Sequence, residues 1–384
     1  MGMWQNIGAA IWGLTQVKDN IMRASHIWAA ALLITSTGTA AAATLTVGNG
    51  EQYATLPDAV AAASAGDTVD VYANASPYTD EYVTITKNLT IVGVGTTPVF
   101  TQTSGTEIGN LMGFLVIQAN VTVQNLSFQN ASISLNNGDN AAGIRFQSGS
   151  LTVINSSFIG NQDGILATPF TSGAGTVTVT NSTFTGNGVA TGPDAGLEHA
   201  IYVNQVAQFT FTGNTVTGTL VGSDVKSRAA NTILTGNVLE EGVTGTASYA
   251  ADFSNGGTAV FSDNTVNQGS NTGNDTMVAY GAEGLDYSTN SLLVSGNTFN
   301  SSDTSGVPTG INNFTTTVNA SVTCNAFNGV TTLTTGPATL SDNVINGPLP
   351  ACATTSVPEP SSAAGLLTGM VGLLLAMLVR RRTI

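Results

Sequence analysis

The chain has 384 residues, only 8% of them charged, and its 23 acidic residues against 9 Lys and Arg give a net charge of -14 at pH 7. Nucleic-acid binding requires clustered cations to neutralise phosphates, so this composition excludes that class of partner. Two cysteines are too few for a structural zinc site.

The N-terminal segment has the features of an export signal. Two cations precede an apolar run at 27–34, and three alanines at 41–43 fit the small-residue rule for cleavage. We therefore expect residues 1–43 to be a leader and the mature chain to start near Thr44. A start at Met22 would give a signal peptide of more ordinary length, and we interpret Met22 as the true start.

A short helix is predicted directly after the leader, followed by the first strands. Thr55 is the expected N-cap, Asp58 lies in the first turn where the helix dipole favours an acid, and Gly66 ends the helix. The strand patterns G-D-T-V-D-V-Y (Gly66–Tyr72) and K-N-L-T-I-V-G (Lys87–Gly93) come next.

One short phrase then recurs along most of the chain: an apolar residue, a spacer, a small polar pair rich in Asn, and a second apolar residue. Its closing residues recur on average about every 27 residues, a period typical of stacked repeats. The alternation predicts short β-strands, and the Asn-rich pair predicts a bend that tolerates left-handed backbone. The copies begin at Val123, Val153, Val179, Phe211, Leu234, Phe261, Val294, Val322 and Leu340.

These repeats, with the helix and the K-N-L-T-I-V-G strand before them, resemble the right-handed parallel β-helix repeats of the pectin-lyase-like fold. The resemblance implies an all-β solenoid of about ten coils whose open N-terminal end is covered by the helix. We assign residues 44–350 to this domain. Stacked Asn amides at one corner are expected to bond to each other along the axis.

One region interrupts the Thr- and Asn-rich pattern and contains the candidate site. It holds the single histidine of the predicted mature chain and two of its four cations, Lys226 and Arg228. That spacing points both cations to the same face of a strand. Residues about one coil apart in sequence stack on successive turns. The six side chains expected to form one patch are His199, Tyr202, Lys226, Arg228, Asp252 and Glu283.

Two chemistries fit this patch. In a lyase acting on a uronic-acid polymer, Arg228 would neutralise the substrate carboxylate, and Lys226, His199 or Tyr202 would be the base or acid. In a hydrolase, the two acidic members of the patch would form the carboxylate pair. The lyase is favoured because it accounts for the scarce cations. The signature motifs of polygalacturonases, pectate lyases and pectinesterases are absent.

A structural role for the same residues is the alternative, because Lys226 and Arg228 could pair with Asp224, Glu240 or Asp252 on a solvated surface at little energetic gain. The protein would then be a non-catalytic carbohydrate-binding or adhesive surface protein. No cofactor is expected, since calcium could bind among the acids but no D-x-D-x-D-G loop is present.

Ice binding is the third function class considered. Thr-x-Thr pairs suit ice, and they occur at 178–180, 210–212 and 215–217. Because coil length varies, these pairs are not expected to recur at one position in every coil, and we expect no regular lattice.

The C-terminal part begins with the two cysteines. Cys324 lies in the last coil region and Cys352 just after it, so a disulfide in an oxidising compartment would fasten the end of the domain. A reduced pair is the alternative. Residues 351–356 are expected to be a linker, and the apolar span 363–379 is long enough for a membrane helix. The flanking motif residues are Val357, Pro358, Glu359, Pro360, Arg380, Arg381 and Arg382.

The order V-P-E-P, apolar span, basic cluster resembles the PEP-CTERM sorting signal. It implies that residues 357–384 are an address, with the arginines on the cytoplasmic side. The protein would be exported, held transiently in the inner membrane, clipped by a sorting protease and released to the cell surface or extracellular matrix. Such tails occur in bacteria that make exopolysaccharide, so a polysaccharide is the expected partner.

Overall fold

The computed structural model describes residues 41–193 and 195–352, and these residues form a parallel β-helix. Each coil contributes one strand to each of three parallel sheets, which we call sheets A, B and C in the order in which the chain enters them. Sheet A has twelve strands, sheet B eleven and sheet C ten. The predicted fold class, an all-β parallel β-helix, is therefore confirmed.

Sheet A consists of β1 (Thr44–Val47), β2 (Thr68–Tyr72), β5 (Leu89–Val94), β8 (Val121–Gln124), β11 (Ser150–Ile154), β14 (Thr176–Thr180), β17 (Gln208–Thr212), β20 (Asn231–Thr235), β23 (Thr258–Ser262), β26 (Ser291–Ser295), β29 (Ala320–Thr323) and β32 (Ala338–Ser341). Sheet B consists of β3 (Tyr78–Thr79), β6 (Val99–Thr101), β9 (Ser127–Gln129), β12 (Ser157–Ile159), β15 (Thr183–Thr185), β18 (Thr215–Thr217), β21 (Val238–Glu240), β24 (Thr265–Gln268), β27 (Thr298–Ser301), β30 (Ala326–Asn328) and β33 (Val344–Ile345). Sheet C consists of β4 (Val83–Ile85), β7 (Gly113–Ile117), β10 (Ala142–Phe146), β13 (Asp163–Ala167), β16 (Ile201–Val203), β19 (Val225–Ser227), β22 (Ala251–Phe253), β25 (Thr276–Tyr280), β28 (Thr309–Asn313) and β31 (Thr332–Thr335).

The core is built from the inward side chains of successive coils. In sheet B the closing apolar residue of each repeat pairs with its equivalent one coil away, as Phe128 does with Phe158 and Phe158 with Phe184. From Tyr78 to Phe184 these rings stack with centroids 4.7–5.7 Å apart, and all are buried. Each coil therefore stacks its inward side chains on those of the coils before and after it, as expected for a stacked repeat.

The corner between sheets A and B carries a ladder of asparagines. The side-chain amide of each donates to the side-chain oxygen of the next, with distances of 2.9–3.2 Å. Each of these asparagines follows a residue with a φ of 53–70°, a left-handed backbone conformation that glycine and small polar residues tolerate best. This confirms the predicted stacking of Asn amides at one corner. The ladder contains Asn214, Asn237, Asn264, Asn297, Asn325 and Asn343.

The predicted helix is present as α1 (Leu56–Ala62), and a single 3-10 turn lies at Leu135–Asn137. The Thr55 hydroxyl accepts a hydrogen bond from the Asp58 N–H at 3.3 Å, which confirms Thr55 as the N-cap. At the other end the Lys87 ammonium donates to the carbonyl oxygen of Ala63 at 2.6 Å, where the helix dipole favours a cation.

Sheet A aligns single threonines across successive coils. Its strands pair without a slip, so single Thr residues align across coils of different length. The varying coil lengths lie in the turns and leave the strand register unchanged. As expected, Thr-x-Thr pairs do not recur in every coil, because among the first seven strands of sheet A only β1, β14 and β17 carry Thr at both outward positions. Seven consecutive coils carry Thr at one outward position: Thr44, Thr68, Thr90, Thr122, Thr152, Thr178 and Thr210.

The predicted leader up to residue 40, the sorting motif and the apolar span at 363–379 lie outside the described residues, and they stay predictions. Within the described ranges, no helix is long and apolar enough to span a membrane.

Candidate functional site

The outer face of sheet C brings most of the predicted site residues together. Tyr202 of β16 is in register with Lys226 of β19, and Lys226 with Asp252 of β22. Arg228 follows β19, two residues after Lys226, and Glu283 lies in the loop that follows β25. We call Tyr202, Lys226, Arg228, Asp252 and Glu283 the charged patch.

Ion pairs connect the members of the charged patch. The Lys226 ammonium lies 2.8 Å from Oε1 of Glu283 and 3.6 Å from Oδ2 of Asp252. The other carboxylate oxygen of Glu283 contacts the guanidinium of Arg228. One carboxylate is thus shared by two cations, an arrangement that adds geometric specificity to the charge attraction.

The loop that supplies Glu283, residues 281–290, crosses several coils. The hydroxyl of Tyr287 donates to the backbone oxygen of Arg228 at 2.6 Å. The side-chain amide of Gln205 donates to the Asp286 carboxylate at 2.7 Å. These contacts hold the loop against the part of sheet C that carries the two cations.

Tyr202 provides the aromatic surface of the patch. The Lys226 ammonium lies 5.8 Å and the Arg228 guanidinium 5.4 Å from the centre of its ring, within cation–π range. Burial raises the pKa of the Tyr202 phenol, while the nearby Arg228 charge opposes that shift. The phenol is therefore a proton donor rather than a phenolate at neutral pH.

The environments of the two carboxyl groups separate their pKa values. Asp252 is 5% exposed, and burial raises its pKa although the Lys226 charge opposes the shift. For Glu283, burial also acts to raise the pKa, but hydrogen bonding and charge attraction from Lys226 and Arg228 outweigh it and leave the pKa lowered. Glu283 is thus the ionised partner of the two cations.

His199 lies beside the patch and is buried. Its ring meets Tyr202 edge-on with centroids 5.4 Å apart, and the residue is 4% exposed. The Ser223 backbone N–H donates to the ring Nδ1 of His199 at 2.8 Å, and the backbone N–H of His199 donates to the Asp163 carboxylate at 2.9 Å. Burial, aided by the charges of Lys226 and Arg228, lowers its pKa to about 3. These features favour a role in joining successive coils over a role as base.

Sequence reasoning missed a series of buried acids beside sheet C. They lie at the start of sheet C strands or in the turns from sheet B to sheet C. Burial raises the pKa of Asp224 to about 8 and that of Glu241 to about 7. The sequence signal for this series is a carboxyl residue just before a strand. Because the turns differ in length, the acids of successive coils do not align in the sequence. The series is Asp163, Glu198, Asp224, Glu241 and Asp303.

Aromatic side chains flank the charged patch along the stack. Phe170 follows β13 and is 67% exposed, and Phe314 follows β28 and is 47% exposed. The Phe314 N–H donates to the carbonyl oxygen of Tyr280, which continues the ladder of sheet C past its last strand residue.

The C-terminal cysteines form a disulfide bond, and the acidic residues form no metal site among the described residues. Cys324 and Cys352 are joined by a disulfide bond that spans 28 residues of sequence. Over residues 41–193 and 195–352, no group of three or more His, Cys, Asp or Glu side chains is placed to hold a metal ion.

A family model described as a right handed beta helix region matches residues 71–239. An alginate lyase from Paenibacillus sp. str. FPU-7 is 16% identical, with 79% of this chain and 99% of that chain covered and a TM-score of 0.49. A lacto-N-biosidase from Eubacterium ramulus is 13% identical, with coverage of 79% and 67% and a TM-score of 0.43.

Rice weevil pectin methyl esterase is 15% identical, with coverage of 82% and 86% and a TM-score of 0.33. No curated protein sequence matches the chain significantly. The matched family model and the three parallel sheets together show that this chain has a right-handed parallel β-helix fold.

Proposed function

We propose that this protein binds an acidic polysaccharide at the charged patch and does not cleave it. The observation that carries the proposal is the Glu283 carboxylate, which is held by Lys226 and Arg228 beside the ring of Tyr202. A uronate sugar presents the same two oxygens. The cation pair is therefore a carboxylate receptor, and Glu283 occupies the position that a sugar carboxylate would take.

The surroundings of the patch suit an extended polymer. Tyr202, Phe170 and Phe314 place partly exposed aromatic rings along the stack, and aromatic side chains are common in the lining of ligand sites. From β13 to β28 there are five strand spacings of about 4.8 Å, or roughly 24 Å. A polymer lying along sheet C would contact aromatic rings on both sides of the carboxylate receptor.

Binding without cleavage is proposed because none of the described residues beside the receptor is a suitable base, and the Lys226 ammonium is held in ion pairs with Glu283 and Asp252. General base catalysis requires an accessible group whose pKa is matched to the working pH. His199 is buried with its Nδ1 already engaged, Asp252 is nearly buried, and the pKa of Tyr202 is raised. A polysaccharide lyase acting at the same patch is the alternative.

The place of action is part of the same proposal. If residues 1–43 direct export and the V-P-E-P tail is a sorting signal, the β-helix would meet its ligand at the cell surface or in the extracellular matrix. A sorting protease and, transiently, the inner membrane would then be further partners through residues 357–384.

The binding experiment compares the full-length protein with its Glu283→Gln variant on alginate and polygalacturonate. Removing the competing carboxylate should tighten binding, and a gain of about 1.4 kcal/mol would appear as a tenfold lower Kd. The control Glu240→Gln removes the same charge from β21 in sheet B and should bind like the wild type. The double variant Lys226→Ala/Arg228→Ala should not bind.

Two results would overturn the proposal. Unchanged or weaker binding by Glu283→Gln, with Glu240→Gln normal, would show that the cation pair does not receive the ligand carboxylate. Ultraviolet absorbance from unsaturated uronates, lost in the double variant, would show that the protein is a lyase. A neutral glucan should not bind to any variant.

A further inference from the structure

The outer surface of sheet A presents two continuous rows of side chains. The first row continues past Thr210 through Ile233, Val260, Leu293, Ser321 and Thr339. The second row lies two residues further along each strand. It contains Thr46, Asp70, Val92, Gln124, Ile154, Thr180, Thr212, Thr235, Ser262, Ser295, Thr323 and Ser341. We call the two rows together the hydroxyl face.

The composition of the hydroxyl face is narrow. Of its 24 positions, 17 are Thr or Ser, one is charged (Asp70), and none is aromatic. Most of these side chains are half-exposed and alternate with fully buried neighbours along each strand. The surface therefore offers methyl and hydroxyl groups with almost no charge, which suits an uncharged partner and not an ionic one.

The hydroxyl groups of the first row are available to a partner. Those from Thr68 to Thr178 have no hydrogen-bond partner among the described residues, although amide ladders nearby are fully paired. Sheet B differs here, because its outward Asn267, Asn300 and Asn328 bond to each other at 2.8–2.9 Å.

The positions on the hydroxyl face repeat in two directions, and both rows carry a hydroxyl group in β1, β14, β17, β29 and β32. Along the stack they recur at the strand spacing of about 4.8 Å, and along each strand at two residues, or about 6.6 Å. Thr has few rotamers at χ1, so the orientation of methyl and hydroxyl is also restricted. Contact with liquid water does not depend on such regular spacing. A partner that is itself a periodic lattice can contact many of these groups at the same time.

We propose that the hydroxyl face binds ice. Water molecules in an ice crystal form an uncharged, periodic array of hydrogen-bond donors and acceptors with repeats of the same order as those of the face. Crystalline carbohydrate is the competing lattice. It is less well matched because sheet A presents no outward aromatic ring within the two rows on which a sugar could stack.

The test freezes the fluorescently labelled full-length protein slowly from dilute solution and measures its incorporation into ice, together with inhibition of ice recrystallisation. Thr152→Tyr adds a large side chain in the middle of the first row and should reduce both to the level of an unrelated protein. Thr217→Tyr is the matched control, because Thr217 is an equally half-exposed strand residue on the outside of sheet B. It should behave like the wild type.

Circular dichroism on both variants separates loss of ice binding from loss of the fold. The proposal is overturned if the wild type is excluded from ice, or if a folded Thr152→Tyr protein retains full activity. Equal loss in a folded Thr217→Tyr protein would also overturn it. Binding to crystalline cellulose with exclusion from ice would assign the face to carbohydrate instead. Lys226→Ala/Arg228→Ala should leave ice binding unchanged, so this proposal and the polysaccharide proposal fail independently.

Discussion

Asp224 should make the stability of the domain fall as the pH rises. It lies just before β19, is 1% exposed, and neither of its carboxylate oxygens has a hydrogen-bond donor among the described residues. Together with Glu241 it lines a cavity of about 10 Å³, which has room for roughly one water molecule. Burial raises the pKa of Asp224 to about 8, and the charge of Glu241 acts in the same direction.

The sign and size of the effect follow from proton linkage. Between the unfolded pKa of about 3.9 and the folded pKa, the folded state holds a proton that the unfolded state has released. Stability due to this group is therefore complete at low pH and is lost as the pH approaches 8. From pH 5 to pH 8 the loss is about 4 kcal/mol, at about 1.4 kcal/mol per pH unit.

Asp224→Asn removes this titration and keeps the shape of the side chain. Urea unfolding followed by far-ultraviolet circular dichroism, at several pH values between 5 and 8, should give a smaller loss of stability in the variant than in the wild type. The difference in slope is diagnostic, because any fixed cost of the amide shifts all values equally. Equal slopes for the wild type, Asp224→Asn and the control Glu240→Gln would refute the reasoning.

Three further predictions test other parts of the structure. Asn264→Ala should destabilise the domain by about 4 kcal/mol, because it leaves several buried hydrogen-bond partners in the amide ladder unsatisfied. The control Asn231→Ala changes an exposed residue and should cost little stability. Chemical denaturation of both variants measures the difference. Cys324→Ser/Cys352→Ser should lower stability by about 3.5 kcal/mol in the loop-entropy picture, and a reducing agent should destabilise the wild type but not the variant. The His199 ring, with a pKa of about 3, should stay neutral down to pH 5 in NMR spectra, and a midpoint near 6.5 would contradict its buried, hydrogen-bonded position.

The fold was predictable because its determinants are local and repeated. The closing apolar residue of each phrase, such as Phe158, becomes a member of the aromatic stack, and the second residue of the polar pair, such as Asn264, becomes a rung of the amide ladder. Thr55 was recognisable as an N-cap because capping depends on residues three apart in sequence. None of these features requires knowledge of the turn lengths.

The site was predictable only in part, because some of its residues are placed by turns and loops and not by the repeated strands. Lys226 lies on β19 and Arg228 directly after it, and Asp252 follows at about one coil, so strand periodicity places them together. The direction of His199 depends on the turn before β16, and the reach of the loop that carries Glu283 depends on ten residues of irregular backbone. Sequence periodicity carries no information on either, nor on the alignment of Thr across sheet A.

The 281–290 loop changes how the stack would respond to mechanical load. In a solenoid each coil normally touches only its two neighbours, so pulling at one end removes coils singly. In this protein, hydrogen bonds from the loop to Gln205 (through Asp286) and to the backbone of Arg228 (through Tyr287) connect the coil of β25 to the coils of β16 and β19. We call the coils from β16 to β25 the tied segment. Under tension applied at the C-terminal end, coils beyond β25 should peel away one at a time at low force. The tied segment should then unfold in a single larger step at higher force, which would make it the mechanically most resistant part of the described domain.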